Sequence, residues 1–287
     1  MLANANGKTV VELTEDHPGF SDVEYRERRN AIAQLSLKHQ VGQPIPYVLY
    51  TDREHDVWRY VSEELAPKHE ESACSFFLDA KESLRIPTDH IPQLGDVGDL
   101  LSPVCGFRYE PVPGLAPLRE FYGSFAHGTF FSTQYIRHHS EPKYTPEPDL
   151  IHEVIGHANQ LGDPRVADIY SAVGGAVQRS TTHNSLEFLS KIFWFTMEFG
   201  VVFEHGKPKA YGAGILSSFG ELDVFQGATI RPLNLSHMGA EEYDITKYQP
   251  ILYSFDSPSQ MFDQLLEFFS TYDDSVFAAM TSSRSEP

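Results

Sequence analysis

The sequence predicts one mostly α-helical domain with short β-strands, and three observations lead there. Apolar residues recur at helical spacing at Leu186, Leu189 and Phe193, and again at Phe262, Leu265, Leu266 and Phe269. A helix-start signal, Ser21-Asp22 followed by acidic Glu24, opens the ordered part of the chain. Gly and Pro cluster at discrete punctuation points, and no internal repeat, low-complexity tract or linker divides the 287 residues.

Taken in order, residues 1–20 read as a flexible N-terminal arm, 21–275 as the folded domain and 276–287 as a C-terminal tail. The helix that opens at Ser21 ends before Gly42-Gln43-Pro44-Ile45-Pro46, and a second spans Asp52 to Leu65. Ile86-Pro87 and Ile91-Pro92 are further breaks, and 105–118 reads as an ordered Gly/Pro loop between helices. The stretch between Lys191 and Glu204 reads as a buried helix continuing through Gly200, and the Phe262 series as the last, amphipathic helix.

Composition narrows the function classes. The 41% apolar content supports a substantial core, and a net charge of −18 argues against nucleic acid and anionic membranes as partners. Cys74 and Cys105 are the only cysteines and have no metal-type spacing, which suits a reducing cytoplasm. The first twenty residues lack a basic start with an apolar run, and no apolar stretch reaches the ~18 residues needed to span a bilayer.

The chemistry concentrates in Pro148-Asp149-Leu150-Ile151-His152-Glu153-Val154-Ile155-Gly156-His157. Two imidazoles within six residues suggest a borderline transition metal, against the plainer reading of one solvated and one packed histidine. A zinc protease spaces its histidines i, i+4, whereas His152 and His157 are i, i+5, which rotates the second ring by roughly 140° on an ideal α-helix. Convergence therefore requires a widened turn, and Gly156 lies where that costs least. The third ligand has a candidate in Glu198, the only charge between Lys191 and Glu204. A buried carboxylate needs a cationic partner or a metal. Two histidines and one carboxylate hold Fe(II) on one face and leave positions open for oxygen.

Several further segments accompany this set: Glu24-Tyr25-Arg26-Glu27-Arg28-Arg29, Ile91-Pro92-Gln93-Leu94, Gln134-Tyr135-Ile136-Arg137, Tyr144-Thr145-Pro146-Glu147-Pro148-Asp149, Trp194-Phe195-Thr196-Met197-Glu198-Phe199-Gly200 and Tyr211-Gly212-Ala213-Gly214-Ile215-Leu216-Ser217-Ser218-Phe219-Gly220-Glu221. Together with the His152–His157 motif they make the chain resemble the catalytic domain of the pterin-dependent aromatic amino acid hydroxylases, from about His17 to Tyr272. The resemblance implies a single catalytic domain of that type, with Fe(II) on His152, His157 and Glu198, a tetrahydropterin such as tetrahydrobiopterin, and O2 as co-substrate. It implies that Arg137 grips the substrate carboxylate, a bidentate task suited to a guanidinium. Thr145, Gly214 and Ser217 would hold the amino acid backbone, and Pro148 and Trp194 would wall the ring. The pterin would lie along Gly114 and Leu115 and stack on Phe121, with Phe193 and Glu153 nearby. Glu153 and Glu221 are the family's candidate acids at the reaction centre and behind it.

Trp194 matches the phenylalanine and tyrosine enzymes of the family, and Ile245 falls where tyrosine enzymes would carry an acid, so phenylalanine is the expected substrate and tryptophan the alternative. The chain is expected to act as a monomer without the regulatory domain of animal members. It departs from the family at Ala158-Asn159-Gln160, where the pattern usually reads Val-Pro, and at Leu118, Phe131 and Phe193, which replace Ser, His and Tyr. The default product is para-tyrosine. A floor reshaped by Ala158-Asn159-Gln160 that brought C3 to the metal would give meta-tyrosine instead. Rival classes are a 2-oxoglutarate oxygenase, matched by the tripeptides His139-Ser140-Glu141 and His69-Glu70-Glu71, a zinc hydrolase, and a non-catalytic aromatic-amino-acid sensor.

Overall fold

The computed structural model describes residues 2–5, 8–11, 13–245 and 247–282. The hairpin β1 (Leu2–Ala5) and β2 (Lys8–Val11) is followed by α1 (Val23–Lys38), α2 (Asp52–Ser72), α3 (Ser75–Leu84) and α4 (Leu94–Cys105). Next come β3 (Arg108–Pro111), α5 (Leu118–Ser124) and β4 (Thr129–Ser132), then a π-helical segment over His152–Ala158 that runs into α6 (Asn159–Leu161). Helices α7 (Pro164–Arg179) and α8 (His183–Phe193) precede a second π segment, Trp194–Glu198, which ends before β5 (Val201–Glu204) and β6 (Lys207–Ala210). The chain closes with α9 (Ala213–Leu216), α10 (Phe219–Val224), β7 (Thr229–Pro232), α11 (Leu235–Met238), β8 (Ile251–Phe255), α12 (Pro258–Thr271) and α13 (Asp274–Ser282). The mostly helical architecture with short strands is as the sequence predicts.

The helix starts have visible causes. Asp22 accepts the Tyr25 N–H at the head of α1, and Thr51 and Glu54 form a reciprocal capping box at the head of α2. Helix α2 continues past Leu65 to Ser72 and buries Trp58, Val61, Leu65 and His69.

Four segments take structure that the sequence reading does not give. The stretch read as a flexible arm pairs Leu2–Ala5 with Lys8–Val11 and buries His17. The helix expected to continue through Gly200 stops at Glu198, because Val201 and Val202 pair with β6 and β8 instead. The loop 105–118 contains β3, which pairs in parallel with β4. The stretch read as a C-terminal tail is helical to Ser282, and Phe277 of α13 packs edge-on against Phe188 of α8. The β1–β2 and β5–β6 pairings are local hairpins, whereas the β3–β4, β5–β8 and Phe188–Phe277 contacts join segments distant in sequence that no local pattern announces.

The strands form a mixed sheet in the order β6-β5-β8-β7 and a separate β3–β4 pair. An aromatic cluster of Tyr122, Phe125, Phe130, Tyr170 and Phe193 packs at centroid distances of 4.9–6.3 Å. His157 joins this cluster, its ring 4.8 Å from Phe130. The core is thus continuous with the wall behind the imidazoles.

Candidate active site

The i, i+5 pair lies on a turn wide enough to hold it. Residues 152–158 are π-helical, so positions five apart share a face and the two imidazoles converge. Gly156 permits this for a second reason: a Cβ there would stand 2.8 Å from the Ala213 carbonyl oxygen of α9. Asn159 donates to the Ile155 carbonyl at 3.0 Å, capping an acceptor at the exit of the segment.

His152 Nε2 and His157 Nε2 lie 3.0 Å apart. Glu198, at the end of the second π segment, places Oε1 3.2 Å from His157 Nε2 and Oε2 3.6 Å from His152 Nε2. Metal–nitrogen bonds of about 2.1 Å at right angles put adjacent donors ~3.0 Å apart, so this spacing suits cis positions on one octahedral face. Glu198 is held by close packing as well. A Cβ on Gly212 would meet the Glu198 carbonyl oxygen at 2.3 Å, and one on Gly200 would meet the Tyr211 ring at 2.1 Å.

The donor chemistry agrees with the spacing. Ser217 Oγ donates to the Ala213 carbonyl at 2.8 Å, so its 2.9 Å contact with His152 Nδ1 is one in which the ring donates. Nε2 of His152 is then a bare lone pair. Burial pushes the His152 pKa down to about 4, against the pull of Glu198, so the ring is neutral. Burial raises the Glu198 carboxyl, but the neighbouring His157 and His152 outweigh it and keep it below the usual range. A carboxylate facing two imidazoles in a buried setting fits a divalent cation.

Glu153 offers a further ligand atom within 4.8 Å of those of His152 and His157. Burial first, and then the charges of Glu198 and Asp149, hold its carboxyl well above the usual range, so it stands beside the set as a neutral acid.

Asp149 connects the imidazoles to Arg137. Its carboxylate accepts from Arg137 Nε at 2.9 Å, Nη2 at 2.8 Å and the backbone N–H at 2.8 Å, and also from the His152 N–H at 3.3 Å. One edge of the guanidinium is therefore taken and the Nη1/Nη2 edge remains, with Nη1 3.4 Å from the Pro142 carbonyl. Thr145 and Pro148 are half-buried in the adjoining loop. Glu147 between them is pinned by Arg29 at 2.5 Å, and the Arg29 guanidinium carbon lies 3.7 Å from the Tyr135 ring centroid.

Trp194 stacks on Tyr243 at 4.3 Å and 13°, lies 4.5 Å from Phe199, and donates to Gln249 Oε1 at 3.3 Å. Gly214 packs against Phe199, where a Cβ would sit 2.7 Å from the ring. Glu221 accepts the Gln249 N–H at 3.0 Å, and burial pushes its pKa up to about 7. It therefore stands behind Trp194 through Gln249.

On the opposite side Gly114 is buried and Leu115 is 72% exposed, and Phe121 packs edge-on against Phe130 at 5.5 Å. Two further expected site residues lie at the extremes of exposure. Phe193 is fully buried in the aromatic cluster, where Tyr122 and Tyr170 cover it, so it backs the site without offering a face to a ligand. Ile245 is 63% exposed in the segment before β8. Sequence reasoning missed Asp149 as the partner of Arg137, and Tyr243 and Phe199 beside Trp194. It also missed Tyr170, whose hydroxyl lies 2.7 Å from His157 Nδ1. Asp149 was within reach as a carboxylate at the head of the histidine helix; the aromatic partners carry no local signal.

Comparisons with known proteins bear on this arrangement. A profile of the family described as biopterin-dependent aromatic amino acid hydroxylase matches residues 3–281. The chain is 45% identical over 264 residues to a phenylalanine 3-hydroxylase of Streptomyces coeruleorubidus, covering 92% of this chain and 95% of that protein. It is 45% identical over 222 residues to a chloroplastic phenylalanine 4-monooxygenase of Physcomitrium patens and 40% identical over 267 residues to phenylalanine-4-hydroxylase of Rattus norvegicus. It spans only 56% and 59% of those two proteins. Among solved structures, Chromobacterium violaceum phenylalanine hydroxylase with bound iron(III) and 7,8-dihydrobiopterin superimposes with a TM-score of 0.78 at 26% identity, covering 91% of this chain and 93% of that one.

Proposed function

We propose, from the premise that this chain belongs to the biopterin-dependent aromatic amino acid hydroxylases, that it is an iron- and tetrahydropterin-dependent monooxygenase that hydroxylates the ring of phenylalanine. The observation that carries this reading is the convergence of His152, His157 and Glu198, with donor atoms 3.0–3.6 Å apart, from two π-helical segments. On it, those three side chains hold Fe(II). Bound there, the iron with the tetrahydropterin would supply the activation of O2 that ring hydroxylation needs.

The chain's own contribution is placement and exclusion of water. The Nη1/Nη2 edge of Arg137 takes the amino acid carboxylate, with Asp149 fixing the guanidinium from its other edge. Thr145, Ser217 and Gly214 border the amino acid backbone. Trp194, braced by Tyr243 and Phe199, walls the ring with Pro148. Gly114, Leu115 and Phe121 form the pterin side, with the buried Glu153 carboxyl beside the imidazoles. The site is closed by apolar packing behind the imidazoles, which keeps the reacting centre dry.

Hydroxylation at C4 is the first reading. Hydroxylation at C3 is a second, supported by similarity to the 3-hydroxylase over nearly its whole length. Asn159 and Gln160 turn their side-chain nitrogens to the backbone carbonyls of Ile155, Met197 and Tyr211. Action as a monomer is supported by α13 packing back on α8 of its own chain. A cytoplasmic setting is supported by two free thiols. Among the described residues no helix is long and apolar enough to cross a membrane.

The test is anaerobic loading with Fe(II), then aerobic turnover of phenylalanine, tyrosine and tryptophan with a tetrahydropterin. The products are separated against ortho-, meta- and para-tyrosine. Pterin-dependent formation of a tyrosine isomer is expected; turnover only with 2-oxoglutarate, or none with any amino acid, overturns the reading.

A further inference from the structure

The hydrogen bonds behind His157 have a direction that can be worked out atom by atom. Gln160 is fully buried, and its side-chain nitrogen donates to the Met197 carbonyl at 3.0 Å and the Tyr211 carbonyl at 2.8 Å. Two carbonyl acceptors can be met only by the NH2 end, so the amide cannot flip and Oε1 faces Tyr170. The Tyr170 hydroxyl donates to that oxygen at 2.5 Å. With its one proton committed, the hydroxyl can only accept at its 2.7 Å contact with His157 Nδ1.

We propose that Tyr170 and Gln160 are positioning residues that hold the His157 ring proton on Nδ1 and thereby present Nε2 as a bare donor to the metal. The same amide ties this to the third ligand, because Met197 precedes Glu198 on its π segment. The inference rests on the reading of His157 as a ligand. His152 obtains the same orientation from Ser217 and Ala213 of a single neighbouring turn, whereas His157 draws on α6, α7 and the second π segment. Partners that orient a ligating imidazole typically change metal affinity 10–100-fold when removed.

The arrangement makes an unusual prediction, because a phenol can also donate. In Gln160→Leu the Tyr170 proton loses its acceptor and turns to His157 Nδ1, which forces the ring proton onto Nε2, where the metal must bind. In Tyr170→Phe that pressure is gone and both tautomers are populated. The variant with both changes should therefore bind metal better than Gln160→Leu alone and about as well as Tyr170→Phe. Independent structural damage would make it worse.

Two measurements test this. Histidine 15N NMR of the metal-free protein should show His157 as Nδ1–H in the wild type, mixed in Tyr170→Phe and Nε2–H in Gln160→Leu. Co(II) titration against a competing chelator should show binding weakened about tenfold or more in Tyr170→Phe, further in Gln160→Leu, and restored to the Tyr170→Phe level in the double variant. Should Gln160→Leu fail to fold, the tautomer and Co(II) affinity of the near-isosteric Tyr170→Phe decide alone. An unchanged tautomer with unchanged Co(II) affinity in Tyr170→Phe overturns the proposal. A wild type that shows the Nδ1–H tautomer yet binds neither Co(II) nor Fe(II) upholds the relay and defeats the hydroxylase reading instead.

Discussion

The two sides of the candidate site are built differently. On the imidazole side His152, His157, Glu198, Asp149 and Arg137 are each held by buried hydrogen bonds or close backbone packing. On the side of Gly114 and Leu115 the loop after β3 leaves Leu115 and Leu118 exposed, and its apolar side chains await a partner. Metal chemistry tolerates little misplacement of donors, so that half is formed in advance. A flat cofactor that enters and leaves needs a side that can yield.

Four substitutions would sharpen or break this contrast. The largest effect is expected on the rigid side: Glu198→Ala should abolish tight Co(II) binding and turnover together, leaving two imidazoles without their carboxylate. Wild-type affinity in that variant would show that the three groups do not act as one set. Next, Arg29→Met strips Glu147 of its buried partner and frees the loop bearing Thr145 and Pro148. Breaking such a pair costs about 3–5 kcal/mol, read by urea unfolding. A loss under ~1 kcal/mol would mean that the loop is held by other contacts.

The third concerns Glu221. Burial raises its carboxyl from 4.5 to about 7, so between those values the folded protein keeps a proton that the unfolded chain has released. This favours folding fully below pH 4.5 and is withdrawn as pH rises through 7, by about 3 kcal/mol at most. Glu221→Gln should flatten that part of the stability–pH curve; an unchanged slope would assign it to other groups. The smallest effect belongs to the yielding side. Leu115→Ala should leave stability within about 0.5 kcal/mol while raising KM for the tetrahydropterin several-fold, and an unaltered KM would place the cofactor elsewhere.

Much of the rigid side is legible in the sequence. The i, i+5 histidine spacing requires a widened turn, and a lone carboxylate in an apolar run requires a partner; both requirements are met by the two π segments. What the sequence hides is pairing at a distance. Val201–Glu204 carries a local strand signal in Val201, Val202 and Phe203 before the His205-Gly206 turn to β6, but its pairing with β8 joins segments about fifty residues apart and has no local mark. Gln160 reads as a departure from a family pattern, and its use emerges only when α7 brings Tyr170 against it. Phe193 and Ile245 carry the expected residue type, but that Phe193 is buried in the aromatic cluster and Ile245 is exposed has no mark in the sequence.

The close approach at Gly200 and Gly212 has a consequence for anyone who would redesign this catalyst. The reach of Glu198 is set by what those two positions lack, since a single methyl group at either would have to displace backbone or ring atoms that stand 2.1–2.3 Å away. A library that randomises 200 or 212 in search of new substrate scope will disturb the Glu198 backbone, and with it the metal site, before it gains a new specificity.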